Sequence, residues 1–189
     1  MAFRLFGRGG SSDRLEEIEE NVQTMLRHSR YEFDLAMAAL LDERVAADVN
    51  DDIRSTDQKV NQLEREIRRK ILVHSSVFGG IDIPAILVYM SIVKDIERVG
   101  DYAKNLLDLA LDGANLGQIP TSDAWRRLVA EISQYIADSG AAFRSRDPAR
   151  CRELLTHGDQ LLDRFDERVS ALVRGEEDEP QAVARALTF

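Results

Sequence analysis

The sequence of 189 residues holds one cysteine, Cys151, so no internal disulfide framework can form and a reducing compartment suits the chain. No apolar run approaches the roughly 20 residues needed to span a bilayer. The N-terminal Met1-Ala2-Phe3-Arg4-Leu5-Phe6-Gly7-Arg8 has too short an apolar part for a signal peptide. These features predict a cytoplasmic protein. Aromatic residues make up only 6%, and no alternating strand pattern occurs, which argues against a sheet. A net charge of −9 disfavours non-specific nucleic-acid binding, because the phosphate backbone would repel it. No Walker-type glycine loop, Glu-x-x-His pair or catalytic triad can be found, so neither a phosphate-loop enzyme nor a ferritin-like di-iron bundle is expected. His28, His74 and His157 share no short spacing, and each reads as a surface or helix-end residue. Cys151 has no His or second Cys nearby in sequence, which speaks against a nucleophile. Nothing therefore points to an enzyme.

What is abundant is Leu, Ala, Glu, Asp and Arg in helical rhythm. Leu15, Ile18, Val22, Met25, Ser29, Phe33, Ala36 and Leu40 recur at three- and four-residue steps, which predicts a long amphipathic helix. Asp13 with Glu16 suggests a capping box at its start, leaving residues 1–12 as a flexible tail. A second helix carries Val45, Val49, Ile53, Val60, Leu63, Ile67 and Ile71 and should end before Gly79-Gly80. Asp82 and Pro84 fit the start of a third, with Leu87, Met90, Val93, Ile96, Val99, Ala103, Leu106 and Leu109 on its apolar stripe. Gly113 to Pro120 reads as a linker. Thr121 or Ser122 can cap a fourth helix to about Arg144, and Asp147-Pro148 a fifth carrying Leu154, Leu155, Leu161, Leu162, Phe165, Val169 and Leu172. Gly175 to Pro180 is an acidic connector, and Gln181 to Phe189 leave room for only a short sixth helix. Trp125 and Tyr135 read as packing residues.

The second and fifth helices can be superposed. Asp57-Gln58-Lys59-Val60-Asn61-Gln62-Leu63-Glu64 resembles Asp159-Gln160-Leu161-Leu162-Asp163-Arg164-Phe165-Asp166, with polar and apolar positions in step. A repeated helical hairpin explains this best. The expected organisation is a first three-helix unit over 13–113 and a second over 121–189, its third helix short or truncated.

The chemistry concentrates in Lys94-Asp95-Ile96-Glu97-Arg98-Val99-Gly100-Asp101-Tyr102-Ala103-Lys104-Asn105. Glu97 and Asp101 lie four apart, hence on one helix face, where like charges repel by a few tenths of a kcal/mol. A cation, or arginines such as Arg98 and Arg65, should compensate. Gly100 costs about 1 kcal/mol of helix propensity relative to Ala, which makes sense if a helix or ligand approaches the backbone. Asp57, Asn61 and Glu64 form a similar face on the second helix. If the glycine turn is short the two faces meet, and their oxygens suit hard or borderline cations. A solvated acidic face with surface ion pairs is the plainer reading.

The segments Asp57 to Glu64 and Lys94 to Asn105 resemble the signature of the PhoU family, whose third helix typically reads Asp-Leu-Glu-Arg-Ile-Gly-Asp-His-Ala. The chain offers Asp95-Ile96-Glu97-Arg98-Val99-Gly100-Asp101-Tyr102-Ala103, with the helix pattern extending over Asp13 to Gly113. The resemblance implies an all-α fold of two side-by-side antiparallel bundles. It also implies a regulator of phosphate transport and phosphate-starvation signalling, acting as an adaptor on transporter subunits or a sensor histidine kinase. The membrane would be met only through the transporter, nucleic acid would not be a partner, and a homodimer is compatible. It further implies a divalent or trivalent metal ion (Fe, Zn, Mn or Mg) at Asp57, Glu97 and Asp101, with Asn61 and Glu64 as candidates from their shared helix face, and more weakly at Asp159 and Asp163. Asn61 stands where the family favours Asp, and Tyr102 replaces the usual His. The alternative is a self-associating helical bundle without a phosphate role, suggested by the near-heptad first helix.

Overall fold

The structure, a computed structural model, describes residues 8–78, 82–119 and 121–174. These form five helices, α1 (Arg8–Leu41), α2 (Glu43–Phe78), α3 (Ile83–Leu111), α4 (Ser122–Ser145) and α5 (Pro148–Val173), and a 3₁₀ turn at Leu116–Gln118 lies between α3 and α4. No strand occurs among the described residues. The expected sixth helix, the acidic connector and the Gly79-Gly80 corner lie outside them.

Helix α1 begins five residues earlier than the capping box suggests. Asp13 is inside the helix, and Arg8 to Ser12 are helical rather than a tail. A single non-helical residue, Asp42, separates α1 from α2. Its carboxylate accepts from the Arg44 amide at 3.1 Å, so Asp42 starts α2. Asp147 does the same for α5, accepting from the Ala149 amide at 2.8 Å ahead of Pro148. The tight α4–α5 corner puts Arg146 in the left-handed region, φ 53°.

Helix α1 is the central element. It packs extensively on α2, α3 and α4, whereas the extensive packing of α5 is on α4. Gln23 Nε2 donates to the Gly140 carbonyl at 3.0 Å and Arg30 Nε to Ser133 Oγ at 2.9 Å, tying α1 to α4. Of the α1 stripe, Ile18, Val22, Met25, Ser29, Ala36 and Leu40 are buried as its spacing requires. The α3 stripe is rotated from the expected one. Leu87 is 64% exposed, while Ile86, Tyr89, Gly100, Leu107 and Ala110 are buried with Val93, Ile96 and Ala103. A Leu-rich helix between two neighbours offers more than one apolar stripe, and counting alone does not choose between them.

The linker is not a loose tether. Leu116 and Ile119 are buried in the core. A Cβ on Gly117 would overlap the Leu41 carbonyl oxygen, so the 3₁₀ turn closes on the end of α1 through the lack of a side chain. His74, read as a surface or helix-end residue, is fully buried near the end of α2, with Nε2 2.8 Å from Asp82 Oδ2. Trp125 is buried as expected.

The apolar core around α1 falls into two clusters. One apolar cluster joins Ile18, Val22 and Met25 to Val60, Ile67, Ile71, Ile86, Tyr89, Val93 and Ile96. The other joins Ala36, Met37, Ala39, Leu40 and Leu41 with Ala46, Val49, Ile53, Ala103, Leu107, Ala110, Leu116, Ile119 and Trp125. Between them each helix contributes a polar or side-chain-free position: Ser29 and Glu32 on α1, Thr56 on α2 and Gly100 on α3, all buried.

Candidate functional site

At the level of this polar layer α2 and α3 present their acidic faces to each other. Lys104 Nζ lies 2.8 Å from Asp57 Oδ1 and 2.9 Å from Asp101 Oδ1, so one ammonium joins carboxylates of both helices. Burial alone would lower the Lys104 pKa. Hydrogen bonds to Asp57 and Asp101, and their charges, outweigh it and leave the pKa raised, so the amine stays charged. Asn61 Nδ2 donates to Asp57 Oδ2 at 3.0 Å.

One turn along the seam Lys94 pairs with Glu97. Its pKa is also raised, chiefly by that hydrogen bond, with Glu64 and Asp101 adding their fields. Glu64 itself pairs with Arg68 at 2.9 Å on its own helix. Arg98 turns to Asp95 at 3.1 Å. The compensation expected from a cation, or from arginines such as Arg98 and Arg65, comes from Lys94 and Lys104. The facing of the two acidic helices is as the short turn implied.

Beneath the seam sits Glu32. It is 0% exposed, and neither carboxyl oxygen has a hydrogen-bond partner. Ser29 Oγ, one turn away, is likewise buried without one. Burial raises the Glu32 pKa to about 8; the Asp57 charge pushes the same way, Lys104 opposes, and Asp101 adds a further push. At neutral pH the group is a buried carboxylic acid. Gly100 makes room for it, since a Cβ there would sit 2.5 Å from Glu32 Oε2. The helix-propensity cost of Gly100 is thus explained by the close approach of α1.

Sequence reasoning missed Glu32 and Lys104. Both signals were present: Glu32 follows buried Ser29 by three, and Lys104 follows Asp101 by three, so each shares a face with a residue already singled out.

The expected metal set does not fit a metal ion as it stands. Each of its four carboxylates is ion-paired to a lysine or arginine, and Asn61 gives its amide N–H to Asp57. Among the described residues no group of three or more His, Cys, Asp or Glu is arranged to hold one. Asp159 and Asp163 lie exposed on α5. Cys151 lines an apolar groove of about 520 Å³ with Leu15, Val88, Tyr89 and Phe143. No helix among the described residues is long and apolar enough to cross a membrane.

Fold and seam together define an all-helical bundle protein with a lysine-bridged acidic face, of the kind built from antiparallel helical units. The PhoU domain profile matches residues 15–110, and the chain belongs to the PhoU family. It is similar to the phosphate-specific transport system accessory protein PhoU homolog of Deinococcus radiodurans, 28% identical over 160 residues, covering 81% of this chain and 72% of that protein. PhoU homolog 1 of Thermotoga maritima is 42% identical over 52 residues, covering 28% of this chain and 22% of its own. The crystal structure of PhoU from Pseudomonas aeruginosa shares the fold, with a TM-score of 0.77 over 93% of this chain and 85% of that one at 20% identity.

Proposed function

We propose that this chain is an accessory regulator of phosphate transport, working as a protein-binding adaptor rather than as an enzyme. The observation that carries the reading is the PhoU domain over residues 15–110, whose relative in Deinococcus radiodurans is named as a phosphate-transport accessory protein. The finer reading assigns it to phosphate-starvation signalling in the cytoplasm, through contact with transporter subunits and a sensor histidine kinase. The net charge of −9 favours a basic face on the partner. Immobilised protein should retain phosphate-transporter subunits of its own organism at physiological salt. Retention of neither those subunits nor a histidine kinase would sink the reading.

A second reading, self-association, is favoured by one observation. Leu155, at 66% exposed, Leu162, at 64%, and Val169 recur at seven-residue steps on the outer side of α5. The near-heptad stripe of α1, which first suggested it, is used inside the bundle. Light scattering on wild type and on Leu155→Glu/Leu162→Glu separates the two. A dimer that the double variant dissolves supports self-association, and a monomer in both removes it.

A further inference from the structure

We infer that Lys104 is a resident cation, holding the place between α2 and α3 that a metal ion would need, so that the first unit works metal-free. Three observations carry this. The ammonium bridges Asp57 and Asp101 at 2.8 and 2.9 Å, the lengths of charge-assisted hydrogen bonds from a cation to two carboxylates. The remaining acids of the seam are bound to their own cations, Glu97 to Lys94 and Glu64 to Arg68. The buried, unpartnered Glu32 lies beneath, close enough to feel the charges of Asp57, Lys104 and Asp101.

The argument is one of tethering. A Mg²⁺ ion needs oxygens at about 2.0–2.1 Å in a near-octahedral shell. Lys104 Nζ fills the same gap with single-charge donors at longer range, and a metal would have to expel it. The ammonium is carried on α3, one turn from Asp101, so its effective concentration at the seam is on the order of millimolar or more. A free ion must compete with that at every moment. The inference is independent of the partner proposed above, because it concerns the helical seam alone.

The test reads metal binding directly. Purified wild type is titrated with Mn²⁺ by calorimetry and by thermal melting, beside Lys104→Met, Lys104→Arg and Lys104→Met/Asp57→Asn. Wild type and Lys104→Arg are expected to show no binding heat and no Tm change with Mn²⁺ or EDTA. Lys104→Met, with the tethered charge removed, is expected to bind one Mn²⁺ and gain roughly 5 °C in Tm. Adding Asp57→Asn should abolish that gain. Stoichiometric Mn²⁺ binding by wild type overturns the inference whatever the variants do. So does a folded Lys104→Met that binds none. If that variant fails to fold in buffer, refolding in Mn²⁺ but not in EDTA supports the inference, and failure in both overturns it.

Discussion

At the scale of single residues, the fold tolerates a buried acid because the acid is neutral. The Glu32 pKa is raised from an ordinary 4.5 to about 8, so folding favours the proton. The stability this contributes is complete below about pH 4.5 and is lost as pH rises through about 8. Tm should fall across that window for this group, and Glu32→Gln, which keeps the shape without the titration, should flatten the slope. Equal slopes for both proteins in thermal melts at several pH values would count against a buried Glu32. Gly100→Ala places a methyl group on Glu32 Oε2 and should cost about 1–3 kcal/mol in urea unfolding. Glu32→Ala should recover most of that cost, because the two side chains compete for one volume.

At the scale of elements, termini and corners decide how firmly each helix is held. Gly117→Ala drives a side chain into a backbone carbonyl, which cannot swing aside as a side-chain tip can. A loss of at least about 2 kcal/mol is expected, read as a drop in the urea midpoint. Helix α5 has α4 as its extensive partner, together with a capping Asp147 and an ion pair of Arg164 with Glu131. Asp147→Ala should lower stability by about 1 kcal/mol and speed amide exchange in the first turns of α5 while leaving α1 protected. Uniform exchange across α1 and α5 would show that α5 is bound more tightly than its contacts suggest.

At the scale of the whole molecule, α1 takes part in both apolar clusters, so the two should melt together. Ile18→Ala strikes the cluster remote from Trp125, the sole tryptophan. A cost of about 2–5 kcal/mol is expected, and the Trp125 fluorescence transition should move with the helical signal. A fluorescence midpoint that stays put would mean that the clusters unfold separately. Much of this plan was legible in the chain. The periodic stripes of α1 and α2, the Pro84 and Pro148 starts and the facing acidic helices follow from spacing. The phase of α3 was not legible, because Leu87 and Tyr89 offer competing apolar faces and only the neighbouring helices select one. The buried linker escaped for a similar reason: Leu116 and Ile119 are two apolar residues in a glycine-bearing stretch too short for periodicity. Lys104 and Glu32 escaped because a charge on a helix reads as solvated until its neighbours are placed.

The polar belt between the two clusters has a last consequence for alignment. A bundle of uniformly apolar helices can slide by a turn at little cost. Here a slide of α3 along α1 would set Glu32 against residues such as Ile96 or Ala103, strip Gly100 of the atom it accommodates and pull the lysine clamp off Asp57. Three helices therefore share one setting, fixed like a pin in a slot by groups that contribute little to cohesion themselves.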